Sequence, residues 1–166
     1  MFSKLVDAVS ETSARWVSYL YIPLTLVILF DVIMRYLFGS PTSWAFDAAL
    51  HLNSIPFLIG GAWALKVGGH VRVDVLYNRF SPRVQHAINI FLYLFLLLPI
   101  CYLLIKNGAG YALESWSARE VSRFTPLHPP IYPLKTLIPI AFVLLFLQGI
   151  VELIREIKGL LKGGQS

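Results

Sequence analysis

The sequence predicts an all-α integral membrane protein with four transmembrane helices, both termini on the cytoplasmic side, and short amphipathic segments between. Three observations predict it. The 166 residues are 57% hydrophobic and 14% charged, with a mean hydropathy of +0.67. A soluble domain carries about 25% charged residues, so this chain cannot cover a soluble surface. Four stretches reach the roughly 20 apolar residues that a helix needs to cross about 30 Å of hydrocarbon. Lys and Arg are distributed unevenly over the connections, which orients the spans.

The first span is expected over 16–38. The apolar run that begins near Trp16 is too long for the hydrophobic region of a signal peptide and lacks a small-x-small cleavage site, so it reads as retained. "GSPTS" (39–43) is a tight turn, making spans one and two an antiparallel hairpin. The second span is expected over 44–65, the third over 84–105 and the fourth over 134–154. In lipid only internally satisfied backbone survives, so all four are helices. Pro23, Pro56, Pro99 and Pro139 lie in or near them. Residues 66–83 form a polar connection, and 106–135 a longer one punctuated by prolines from Pro126 to Pro133. The whole, 1–166, reads as one four-helix membrane domain. No internal repeat is evident, which argues against an inverted-repeat transporter within one chain.

With an even number of spans the termini share a side. That side holds Lys4, Arg15, Lys66, Arg72, Arg79, Arg83, Arg155, Lys158 and Lys162. The other holds Lys106, Arg119, Arg123 and Lys135, so the termini and 66–83 are expected to be cytoplasmic. The net charge of +5 is spent on this asymmetry and not on a clustered basic face, so nucleic acid is not an expected partner. Trp16, Tyr19, Trp44, Trp63 and Trp116 fall near span ends, as interfacial aromatics do.

Charged residues inside spans are costly and flag function or pairing. Asp31 and Arg35 are four apart on span one, acid first; Asp47 and His51 are four apart on span two. Folding the hairpin about Pro41 sets Arg35 level with Asp47, and Asp31 level with His51. Two cross-hairpin rungs are therefore expected; snorkelling to the interface, or a stripe facing another chain, are the alternatives. Gln148, mid-span, suits an interhelical hydrogen bond. Glu152 with Arg155 or Glu156 suits an interfacial cluster, and Gln85, His86 and Asn89 a solvated helix start. Glu114 is a polar residue of the opposite side.

In "GGHVRVDVLYNRFSP" (68–82), His70, Arg72 and Asp74 alternate with Val71, Val73 and Val75. A short amphipathic segment on the membrane surface fits, with His70, Arg72, Asp74 and Arg79 available to dock a partner chain or lipid. A solvated, topology-setting loop is the alternative. The motifs of zinc proteases, nucleophile elbows and P-loops are missing, so no enzyme is expected. The four histidines are scattered over both sides, so neither a metal nor a cofactor is expected. The single cysteine, Cys101, lies in an apolar run and reads as a buried thiol.

The order of several motifs resembles one family. Arg35-Tyr36 ends the first span; Trp44 with Asp47 opens the second; Gly61-Ala62 follows, then His70-Val71-Arg72-Val73-Asp74. "LESW" (113–116), "PLKTLIPIAF" (133–142) and "LQGIVELIR" (147–155) continue the pattern. Together they resemble the small permease subunit of TRAP (tripartite ATP-independent periplasmic) transporters, the DctQ type. Many relatives carry two adjacent acids after the Trp; here Phe46 takes the first place and Asp47 stands alone. The resemblance implies a four-span, non-catalytic scaffold in the bacterial inner membrane. It implies a heterodimer with a large multi-span permease subunit that holds the substrate and sodium sites, and a periplasmic substrate-binding protein that delivers the substrate. The stretch from Glu114 to Lys135 looks like the branch associated with organic acids. The competing reading is a self-sufficient four-span homodimeric exporter with Asp31 as its proton site.

Overall fold

The computed structural model describes residues 2–68 and 80–161. The described residues form six α-helices: α1 (Phe2–Ser18), α2 (Tyr21–Leu37), α3 (Ala45–Lys66), α4 (Pro82–Leu92), α5 (Leu98–Ser117) and α6 (Tyr132–Leu161). A π-helical turn, Tyr93–Leu97, joins α4 and α5 into one long rod. Four helical units are long and apolar enough to cross a membrane: α1–α2, α3, α4–α5 and α6. The hairpin and the four spans thus agree in type and order with the sequence reading, and their boundaries differ.

The physical causes of those differences are local. The π turn precedes Pro99, whose ring clashes with the carbonyl four residues back in a regular helix. Widening the turn lets the Leu98 N–H bond the Tyr93 carbonyl instead, so the rod continues past the proline. Beyond the expected end at 105, α5 runs on to Ser117 and then stops in a Schellman motif. The Glu120 N–H bonds the Ser115 carbonyl and the Arg119 N–H that of Trp116, with Arg119 at φ +45°.

Residues 2–18 form a helix that hydropathy alone does not announce. Its apolar residues Phe2, Leu5, Val9 and Trp16 are exposed. Ser10 is buried, and Ser3, Asp7 and Glu11 bond polar groups of α3 and α6. This is a soluble amphipathic helix turned inside out, the arrangement expected where the surrounding solvent is lipid.

α6 is the central element, packing against α5, α3, α4 and α1, while α2 leans on α3. Close approach is bought with glycine. A Cβ on Gly149 would stand 2.8 Å from a Leu97 methyl, and one on Gly108 3.3 Å from the Ile138 methyl. Cys101 is buried and free. Most large apolar side chains face outward, among them Leu26, Leu29, Phe30 and Ile33 of α2, as membrane exposure requires.

Candidate functional site

Two polar clusters lie at opposite ends of the bundle. At the end carrying the termini, Gln148 is fully buried and joins α6 to α1. Its carbonyl accepts from the Ser10 hydroxyl (2.9 Å), and its amide donates to Asp7 (3.0 Å) and to Glu152 one turn along α6 (2.9 Å). Arg155 bonds Glu152 at 2.5 Å and also Asp7 and Ser3. Lys66, closing α3, reaches Glu11 at 2.9 Å. Nearby, the Glu156 carboxylate takes His86 Nδ1 at 2.5 Å and the Asn89 amide at 2.8 Å. Of the residues expected to be a solvated helix start, His86 and Asn89 therefore tie α4 to α6, and Gln85 donates to the Phe80 carbonyl at 3.0 Å. The geometry is that of a clamp: complementary charges cross between helices, and among the described residues no buried side-chain nitrogen or oxygen lacks a hydrogen-bond partner.

At the opposite end the segment 118–131 folds back over the start of α3. An antiparallel bridge pairs Val121 with Pro130. The Ser122 N–H bonds the Pro129 carbonyl at 2.8 Å, and the Ile131 N–H bonds the Glu120 carbonyl at 3.1 Å. Asp47, in the first turn of α3 and 3% exposed, is the anchor of this fold-back. The Ser122 hydroxyl donates to its Oδ1 at 2.6 Å, and the Thr125 hydroxyl to its Oδ2. The position suits a carboxylate, because helix N-termini attract negative charge. Phe46 and Phe124 pack outside it with their ring planes tilted by 60° and centres 5.4 Å apart. His51 Nδ1 lies 2.7 Å from the Asp47 carbonyl and its Nε2 3.2 Å from the Pro130 carbonyl. His128, at φ +48°, places Nδ1 2.8 Å from the Ser122 carbonyl.

Glu120 fixes the segment's first end to α6. It accepts from Lys135 and, at 2.7 Å, from the Ser115 hydroxyl. The Lys135 hydrogen bond first, then that of Ser115, holds its carboxyl below the ordinary value of 4.5. Lys135 also sits 3.9 Å over the Tyr111 ring, and Trp116 donates to Thr136 at 2.9 Å. Glu114 is exposed.

The cross-hairpin rungs expected from the register are not made. Arg35 turns along its own helix to Asp31 at 2.7 Å. Asp31 also accepts from the Thr42 N–H (3.0 Å) and hydroxyl (2.5 Å), closing the 39–43 turn. Asp47 and His51 are claimed instead by 118–131, some 75–79 residues distant in sequence. The register about Pro41 is shifted from the expected one: Asp31 meets Thr42 and Phe30 stacks on Trp44 at 6.1 Å, so Asp31 lies level with the start of α3 and not with His51, and the partner of Asp47 is a loop from further along the chain. Ser122, Thr125 and His128 carried no signal of their own in the sequence. His70, Arg72, Asp74 and Arg79 lie outside the described residues.

Two cavities adjoin these features. A cleft of about 500 Å³ opens between α3 and the fold-back, lined by Trp44, Asp47, His51, Thr125, Leu127 and several prolines. A groove of about 540 Å³ lies between α1–α2, α3 and α6, lined by Pro56, Phe57, Gly60, Gly61, Trp63, Ala141 and neighbours, with the Ser18 and Tyr21 hydroxyls and the Trp63 indole as its polar side-chain groups. Among the described residues no cluster of three or more His, Cys, Asp or Glu is placed to hold a metal. No buried side-chain nitrogen or oxygen there lacks a hydrogen-bond partner.

Residues 24–159 match the sequence model of the family described as tripartite ATP-independent periplasmic transporters, DctQ component. The chain is also similar to the C4-dicarboxylate TRAP transporter small permease protein DctQ of Vibrio cholerae serotype O1, with 27% identity over 84 residues. That alignment covers 51% of this chain and 36% of the relative, so the chain spans about a third of the length of the relative it matches. The family match runs from α2 through nearly all of α6; it takes in the fold-back over Asp47 and, of the cluster around Gln148, all but the α1 residues. The chain therefore belongs to the DctQ component family of the TRAP transporters, a small permease subunit that crosses the bacterial inner membrane several times.

Proposed function

We propose that this chain is the scaffold subunit of a sodium-coupled importer of organic acids, working with a large multi-span permease subunit and a periplasmic substrate-binding protein. The observation that carries the scaffold reading is the state of its intramembrane polar groups. An organic anion crossing a membrane needs donors facing a cavity at membrane depth. Here the groove between α1–α2, α3 and α6 offers two hydroxyls and an indole N–H and no cation, and the buried polar side chains described have hydrogen-bond partners. A substrate path therefore belongs to another chain. The homodimeric exporter is less well supported, because Asp31 is held by Thr42 and Arg35 at a turn.

The excess of Lys and Arg with the termini supports an orientation with both ends in the cytoplasm. Under it, the clamp around Gln148 is cytoplasmic, the fold-back over Asp47 is periplasmic, and His70, Arg72, Asp74 and Arg79 are available to dock the large subunit or lipid. Single cysteines at Ser81 and Ser117, both exposed, test it. Ser81→Cys reacts with an impermeant reagent only after the membrane is opened, and Ser117→Cys reacts from outside; the reverse pattern overturns the orientation. The function itself is tested by co-expression with the large subunit. A one-to-one complex is expected, with uptake lost when this chain is deleted. Undiminished uptake by the large subunit alone contradicts a required role.

A further inference from the structure

We propose that His51 is a protonation-dependent clasp between α3 and the 118–131 segment, closed when its imidazole is cationic and loosened when it is neutral. Both ring nitrogens point at carbonyl oxygens: Nδ1 at Asp47 (2.7 Å) and Nε2 at Pro130 (3.2 Å). Carbonyls only accept, and a neutral imidazole carries one N–H. The neutral ring therefore makes only one of the two bonds at a time, Nδ1–H to Asp47 or Nε2–H to Pro130, and the other nitrogen turns a lone pair toward a carbonyl oxygen. The imidazolium donates to both, and one side chain then bridges helix and fold-back.

The surroundings favour such a switch. On its own helix the imidazole has the Asp47 carboxylate, buried and without a Lys or Arg partner among the described salt bridges. From the segment, His128 faces the same carboxylate and points Nδ1 at the Ser122 carbonyl. Among the flanking elements Glu120 pairs with Lys135 and Asp31 with Arg35, while Arg119 and Arg123 of the segment are exposed cations. The wall from α6 is Pro133, and the cleft beside His51 is open, so protons reach the ring. Histidine is the side chain whose charge changes between about pH 5 and 8. The link gains a donor on protonation, so it is strongest at the acid end of that window and is lost as the pH rises. Ordinary carboxylates titrate well below it, near 4.

The test is amide exchange in the full chain in lipid nanodiscs at pH 6 and pH 8, expressed as protection factors so that the intrinsic rate cancels. The reporters are the Ser122 and Ile131 amides, which hold the bridge of the segment. One hydrogen bond to a charged group corresponds to protection about tenfold higher at pH 6. His51→Gln should flatten that difference, and His128→Gln should keep it. A flat wild-type response, or an unchanged response in His51→Gln, overturns the proposal, as does loss of the response in His128→Gln alone. Should His51→Gln fail to fold, ¹⁵N spectra of labelled histidine in the wild-type chain decide. The His51 ring must pass from two N–H groups to one over the pH interval in which the segment loses protection. Titration in a separate interval overturns the clasp.

Discussion

Replacing Asp47 by Ala removes the one acceptor shared by two buried hydroxyls, Ser122 and Thr125. A hydrogen bond to a charged group contributes about 1.5–3 kcal/mol, so the two together set an upper figure of about 6 kcal/mol. The variant no longer has to bury a carboxylate, which returns part of this. The expected net loss is about 3–5 kcal/mol, seen as a fall of about 10 °C in thermal midpoint for a chain of this size. Thr125→Val removes one donor at nearly constant shape. In a double-mutant cycle on thermal unfolding in detergent, Asp47 and Thr125 should couple by more than about 1 kcal/mol. Arg35→Ala and Asp47→Ala should add to within about 0.5 kcal/mol, because Arg35 bonds Asp31 instead. Strong coupling of Arg35 to Asp47, with additivity of Asp47 and Thr125, would refute the fold-back and restore the hairpin rung.

Gln148→Leu keeps the volume and deletes the bonds to Ser10, Asp7 and Glu152; it should cost about 2–4 kcal/mol and expose residues 2–18 to protease before the rest of the chain. Gly159→Ala sets a Cβ 2.7 Å from the His86 ring, which Glu156 holds in place; a loss of about 1–3 kcal/mol in thermal stability is expected. Glu120 has its carboxyl held down by Lys135 and Ser115. A depressed carboxyl stabilises above its unfolded value and stops doing so as the pH falls through its lowered one. Exchange at 118–131 should therefore rise a second time in strong acid, and Glu120→Gln should show raised exchange already at neutral pH and a smaller acid step, the remainder belonging to Asp47.

The helical class, the number of spans and the 39–43 hairpin were legible because lipid imposes a length and a composition on each crossing. Side-chain pairing was legible only where partners are close in sequence. Asp31 and Arg35, four apart, meet as helix geometry requires, whereas Asp47 finds Ser122 and Thr125 through a loop whose path hydropathy does not encode. α1 escaped a search for long apolar runs because Phe2, Leu5 and Val9 alternate with Ser3, Asp7 and Ser10. Its inverted amphipathicity was readable at helical period, with the polar face meeting Gln148. The extension of α5 to Ser117 was hidden by Asn107, Gly108 and Gly110, residues that signal a turn in isolation and here sit in a helix pressed against α6.

The central claim is that this chain's polar residues hold a scaffold together and do not handle the transported solute. The direct measurement is uptake by proteoliposomes holding the large permease subunit with this chain, comparing wild type with Asp47→Ala and Gln148→Leu. The account predicts an unchanged KM for the solute, with the maximal rate falling only in proportion to the amount of intact complex. A KM shifted about tenfold or more in a complex of wild-type stability would remove a binding contribution of about 1.4 kcal/mol, and would contradict the account.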